Sequence, residues 1–207
     1  MVQFEERATE GVEAVESSLV AYADESSVRH NDVHQEYLVC AAILERSKLE
    51  EIRQELRPLL LPGQMRLHWT DEGSRRRRQI VCTVSGLDTF QVIVTNSSQV
   101  SRKTERYRRK CLETLYFELG NMKIADLTLE SRQESQNRKD IEHIVALQAA
   151  GKCQGIRVTH FRGGDDPLLW IPDVVLGAFN SIHHGETEYW GHLQEKLVLQ
   201  RNAEGSL

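Results

Sequence analysis

Five apolar runs with strand character recur along this chain, and all but the first two are separated by segments long enough for a helix. That alternation limits the fold more than any single motif. The runs are "LVAYAD" (19–24), "EYLVCAAIL" (36–44), "TFQVIVT" (89–95), "KIADLTLE" (123–130) and "GIRVTHF" (155–161). The first two are joined by the polar "ESSVRHNDVHQ", which reads as the long loop of a loose hairpin. After the second, Ser47 and Glu50 form a capping box ahead of Leu49, Ile52, Leu56 and Leu59, which recur at helical spacing until Pro62-Gly63 stops them. Residues 71–85 read as another helix. In the helix over 101–121, Tyr107, Cys111, Leu115 and Leu119 share one stripe before Gly120-Asn121. Residues 135–152 and 166–184 supply two more. The order β-β-α-(α)-β-α-β-α-β-α predicts an α/β domain, a mixed five-stranded sheet with helices on both faces.

The length, 207 residues, suits one elaborated domain. The expected layout is an acidic arm over 1–18, the domain over 19–194 and a fraying polar tail over 195–207. With 40% hydrophobic and 28% charged residues the chain can bury a sizeable core. No apolar run approaches the roughly 20 residues that span a bilayer, so no membrane partner is expected. The amino terminus, "MVQFEERATE", has no apolar signal-peptide core. Cys40, Cys82, Cys111 and Cys153 lie far apart without a CxxC, the pattern of reduced thiols in a cytoplasmic protein.

A net charge of −5 argues against a surface coated for nucleic acid, yet the basic residues cluster. Arg75, Arg76, Arg77 and Arg78 are consecutive, and "SRKTERYRRK" (101–110) holds six basic residues in ten. Four consecutive arginines point to every side of a helix, so they cannot all serve one ligand. The run reads either as a solvated helix surface or as a phosphate-contacting patch.

The carboxylates at element ends carry the chemistry. The first run ends in Asp24-Glu25 and the fourth in Glu130, Asp165 and Asp166 follow the fifth, and Asp173 sits inside the apolar "LLWIPDVVLGAF". Ligands of open α/β sheets gather beyond the carboxyl ends of parallel strands, so Asp24 and Glu130 share a rim if their strands are parallel neighbours. An acid in an apolar helix costs free energy unless a metal or partner offsets it. Three such carboxylates would make a hard oxygen site for Mg²⁺ or Mn²⁺. The competing readings are ordinary: a turn acid for Asp24, a solvated strand end for Glu130, a first-turn helix acid for Asp173. His30-x-x-x-His34 has the spacing of a metal pair but lacks the HExxH glutamate, and His183-His184 suits the negative end of the last helix. There is no GxGxxG or GxxxxGK[ST] nucleotide loop.

Four stretches, "YADES", "LHW", "LTLESR" and "PLLWIPDVVLGAF", resemble a bacterial family of unknown function with a ribonuclease H-like fold. Its members read "IDES" early, "LH" plus an aromatic in the middle, "DER" at a later strand end and "LQLADLIAGA" on the last helix. The match spans roughly residues 18–185. It implies a ribonuclease H-like acidic cluster of Asp24, Glu130 and Asp173, with Asp166 or Glu25 as second-rank candidates to complete the shell and His68 contacting substrate or moving a proton. Two departures stand out. Pro172 replaces the family's usual Ala, which shifts the expected start of the last helix. "LESR" places Glu130 one position off a strict "DER".

The expectation is therefore a Mg²⁺- or Mn²⁺-dependent nuclease or related phosphoryl-transfer hydrolase. Arg75, Arg76, Arg78, Arg102, Lys103 and Arg109 would hold nucleic-acid phosphates. The alternatives are a catalytically inactive nuclease-like fold serving as a binding or regulatory module, and a hydrolase of small phosphorylated molecules.

Overall fold

The computed structural model describes residues 17–100, 104–153 and 155–203. The first strand, β1 (Leu19–Arg29), turns over at residues 30–33 into β2 (His34–Glu45). The two pair antiparallel in continuous register from Leu19↔Glu45 to Arg29↔Gln35. The hairpin is thus tight where a long polar loop was expected. Asn31 explains the difference: its side chain accepts from the backbone N–H groups of Val33 and His34, closing the turn locally.

A short 3-10 turn leads into helix α1 (Leu49–Leu56). No side-chain cap forms there: the Ser47 hydroxyl donates to Glu45 and accepts from none of the helix N–H groups. After α1, Leu61-Pro62-Gly63-Gln64 makes a turn with φ +84° at Gly63 and Gln64 N–H bonded to Leu61 C=O, a geometry only glycine accepts without strain. Helix α2 spans Ser74–Gly86, starting three residues later than expected, and β3 (Thr89–Gln99) pairs antiparallel with β2. Helix α3 (Thr104–Asn121), β4 (Asp126–Glu130), α4 (Glu134–Ala149) and β5 (Arg157–Phe161) follow. Helix α4 begins with a Gln133–Gln136 capping box.

Helix α5 (Trp170–Ser181) starts two residues before Pro172. The proline therefore lies in the first turn, where its missing N–H costs no helical hydrogen bond. Helix α6 is Glu188–Leu193. The segment expected as a fraying tail instead supplies β6 (Leu197–Asn202), parallel to β3 at the sheet edge, with Leu197 and Leu199 turned toward the core. The expected arm falls almost wholly on residues 1–16, outside the described residues.

The six-stranded sheet runs β5-β4-β1-β2-β3-β6, with β1-β4 and β4-β5 parallel. Three antiparallel strands flanked by two parallel ones on the β1 side is the ribonuclease H-like arrangement, here with β6 as a sixth strand. Period-two alternation divides the core. Val20, Tyr22, Leu38, Cys40 and Ala42 face α1, α2, α5 and α6. Ala21, Ala23, Val39, Ala41 and Ile43 face α3 and α4.

Candidate functional site

Strand register brings the first two acids together. Ala23 is level with Leu129 in the parallel β1-β4 pair, so one step further places Asp24 beside Glu130. Both fall on the α5 face, because Ala21, Ala23, Leu127 and Leu129 all point the other way. Helix α5 packs across this face and adds Asp173 from its first turn. All three carboxylates line one cavity of about 730 Å³, with Ser26, Arg66, His68 and Arg77 among its other walls.

The electrostatics are uneven. Burial pushes the Asp24 carboxyl well above the usual carboxylate range, and the charges of Glu130 and then Asp173 push it further. The Glu25 N–H, donating to Asp24 Oδ1 at 2.7 Å, opposes this only in part. Glu130 accepts from Arg66 at 2.7 Å. Asp173 accepts from Trp69 N–H at 2.7 Å and lies 3.0 Å from His68 Nδ1, a bond that raises the His68 pKa despite partial burial. Glu130 and Asp173 are thereby drawn toward separate partners. Among the described residues, the group whose ligand atoms all lie within 4.8 Å of one another is His30, Glu36 and His183, not the three acids.

Gly177 fixes the His68 side of the cavity. A Cβ there would lie 2.1 Å from Trp69 Cγ, so only glycine lets the indole lie flat on α5. With Trp69 seated, its backbone N–H meets Asp173 one helical turn earlier, and His68 is carried into place. Arg77 stacks over the same indole, 4.8 Å from the ring centroid, and donates to Trp69 C=O.

The remaining expected residues divide. Asp166 lies away from the cavity: both its oxygens are held by Arg53, at 3.0 and 2.8 Å, and Oδ1 also accepts from Leu168 N–H. It caps the 3-10 turn before α5 and carries no free lone-pair face toward Asp24. Glu25 reaches the cavity rim but points to the α3 face, where it pairs with Arg108 and Arg132. Arg76 is bound to Glu72 and Leu59 C=O, and Arg78 to Glu188; Arg75 is exposed. Arg109 lies on α3, across the sheet from α5 and off the cavity lining. Arg102 and Lys103 lie outside the described residues.

Sequence reasoning passed over Arg66, Gly177 and Asn180, and gave Arg77 no role apart from its neighbours. A signal for two of them existed. Asp173, Gly177 and Asn180 recur at helical spacing on α5, so one acid on that face implicates the others. Asn180 donates to Ser26 at 3.0 Å, while its buried Oδ1 has no hydrogen-bond partner.

Fold and site together define a ribonuclease H-like domain with an acidic, cavity-lining trio. No family model and no curated protein matches the chain. Among solved structures it is similar to a chain of the PCNA–RNase HII complex from Archaeoglobus fulgidus, with 14% identity over 85% of this chain and 78% of that one, at a TM-score of 0.44. It is also similar to Bst-RNase HIII in complex with Mn²⁺, with 9% identity over 82% of this chain and 53% of that one, at a TM-score of 0.43. This chain thus spans about half the length of the RNase HIII chain. No helix among the described residues is long and apolar enough to cross a membrane.

Proposed function

We propose that the chain is a divalent-metal-dependent nuclease or related phosphoryl-transfer hydrolase, and that it belongs to the bacterial family whose motifs it resembles. One observation carries the reading: Asp24, Glu130 and Asp173, from three separate elements, line one cavity, where burial and then the charges of Glu130 and Asp173 raise Asp24. A hard cation relieves such repulsion, and an all-carboxylate donor set suits Mg²⁺ or Mn²⁺ over softer metals. Such an ion would supply Lewis-acid polarisation of a phosphodiester and activation of water.

The chain's own residues do the rest. Arg77, its guanidinium stacked on Trp69 and fixed through Nε to Trp69 C=O, offers its remaining N–H groups to a phosphate at the cavity wall. His68, oriented through Nδ1 by Asp173, leaves Nε2 to move a proton at the leaving oxygen. Its raised pKa keeps that proton available nearer neutral pH. Nucleic acid is the substrate class this arrangement favours.

Calorimetric titration of wild type, Asp24→Asn and Asp173→Asn with Mg²⁺ and Mn²⁺, alongside cleavage of DNA, RNA and nucleotides, tests this. Wild type should bind the ion and cleave, and both variants should lose binding and activity. Equal ion binding by all three proteins would end the metal-site reading. A second reading, a nuclease-like fold used as a binding module, is favoured by Arg66, which already occupies one Glu130 oxygen. It predicts nucleic-acid binding without cleavage, unchanged in Asp24→Asn.

A further inference from the structure

Away from the acidic trio, three chain segments bring nitrogen and oxygen donors to one point. His30 follows β1, Glu36 lies two residues into β2, and His183 sits in the 3-10 turn that continues α5. His30 Nε2 is 3.2 Å from Glu36 Oε2, and His183 Nε2 is 3.9 Å from the same oxygen. The two imidazoles meet edge to face, with centroids 4.4 Å apart and planes at 68°. The carboxylate is itself held, since Ser97 donates to the opposite oxygen, Oε1.

We propose that His30, Glu36 and His183 form a transition-metal site of the Zn²⁺ class, distinct from the acidic cavity in both place and chemistry. Tetrahedral zinc, with bonds of about 2.0–2.1 Å, sets its ligand atoms about 3.3 Å apart. The His30–Glu36 separation already matches that edge, His183 Nε2 must close on Glu36 by about 0.6 Å, and all three ligand atoms lie within 4.8 Å of one another. Two imidazoles and one carboxylate favour Zn²⁺, Co²⁺ or Ni²⁺ over Mg²⁺. Ser97 supplies the outer hydrogen bond that such carboxylate ligands usually have. A fourth position is left to water from the exposed side.

The spacing of His30 and His34 pointed at the wrong partner. His34 enters the β2 ladder opposite Gln99, whereas His183 arrives from 153 residues away in sequence. The placement gives the site a consequence. Ser26, Ser27 and Val28 of β1 and Asn180, Ser181 and His184 at the α5 end line two adjoining walls of the acidic cavity, joined by the Asn180 bond to Ser26. An ion on His30, Glu36 and His183 clamps the outer ends of those two walls together.

The test uses full-length protein without an affinity tag, stripped with chelator and then titrated with Zn²⁺ and Co²⁺. Wild type should bind one Co²⁺ with the intense visible bands of four-coordinate geometry, and Zn²⁺ should displace it and raise the melting temperature. Glu36→Gln and His183→Asn should each weaken binding by at least about 100-fold, the upper end of what loss of even an outer-shell contact costs. Asp24→Asn should leave it unchanged, which separates this site from the acidic one. Far-ultraviolet dichroism confirms that each variant folds. Zn²⁺ binding equal in wild type and a folded Glu36→Gln variant overturns the proposal. So does the absence of Co²⁺ bands in wild type, which would leave the cluster as two imidazoles packed against one carboxylate.

Discussion

Asp24 and Glu25 are neighbours in sequence yet belong to opposite electrostatic worlds. Alternation along β1 sends Asp24 to the α5 face and Glu25 to the α3 face. On the α3 face, Glu25 and Asp140 share Arg108, which is 2% exposed, while Arg132 adds contacts to both acids. Burial works against the Asp140 charge, but hydrogen bonds from His160 and Arg108 outweigh it and hold the carboxyl down at about 2. On the α5 face, Glu130 and Asp173 pair with Arg66 and His68, but among the described residues no arginine is hydrogen-bonded to Asp24, and its carboxyl is raised by burial and by those two acids. The same residue chemistry thus builds a paired network on one side of the sheet and leaves Asp24 uncompensated on the other. Compensation marks a structural role, and its absence marks a place where an incoming cation would be stabilised.

Removing the compensating cation should break the contrast most severely. Arg108→Met leaves Glu25 and Asp140 with Arg132 as their shared partner and His160 on Asp140 alone. Loss of one partner from a buried ion pair costs about 3–5 kcal/mol, and urea denaturation at neutral pH should show a loss near the lower end because Arg132 persists. A loss below the ~1 kcal/mol typical of exposed pairs would show that the α3 network contributes little.

The α5 face should respond instead to shape. Gly177→Ala drives a methyl into Trp69 and should cost about 1–3 kcal/mol, the usual range for overpacking. It should also shift the indole fluorescence and pull His68 away from Asp173. The His68 pKa, raised chiefly by that hydrogen bond, should then fall toward the ordinary histidine value when followed by NMR titration. An unmoved His68 pKa would detach the imidazole from the Trp69 anchor.

Much of this was legible beforehand, and what escaped did so for identifiable reasons. Strand-helix alternation is local, so five strands and the long helices could be read directly. Strand β6 could not, because its edge position buries only Leu197 and Leu199 among exposed Val198, Gln200 and Arg201. Asp24, Glu130 and Asp173 were readable because each ends or interrupts an apolar run, although β1 itself continues past Asp24 to Arg29. Asp166 satisfied the same rule and went elsewhere, since its partner Arg53 lies 113 residues away on α1. The arginine run was ambiguous for a related reason. Charge alone cannot tell Arg76 and Arg78, which bind Glu72 and Glu188, from Arg77, which stacks on Trp69.

The two faces should also titrate with opposite sign. Asp140, held at about 2 against an unfolded value near 4, contributes stability above pH ~4 that disappears as pH falls toward 2. Asp24 is raised, so its contribution is complete below the ordinary carboxylate pKa and is lost as pH rises through the folded value. In chelator, wild type should therefore be most stable in mildly acidic solution. Asp24→Asn should flatten the decline toward neutrality while leaving the acid limb intact. A parallel shift of the whole profile would mean that Asp24 does not carry the alkaline slope.

The smallest effect probes whether any cation on the α5 face is structural. Arg77 stacks on Trp69 and lies 3.8 Å from Glu186, a half-exposed pair. Arg77→Gln keeps a shorter polar side chain and gives up the cation–π contact, which at a partly exposed site amounts to about 0.5–1 kcal/mol. Stability should therefore fall only slightly, against the several kcal/mol expected for Arg108. Phosphate affinity is the discriminating readout. An arginine that serves the cavity loses nucleic-acid binding, and shallows its salt dependence by about one phosphate contact, with the fold nearly untouched. If Arg77→Gln instead destabilises the protein as much as Arg108→Met and leaves binding intact, the arginines of both faces are structural, and the contrast between them collapses.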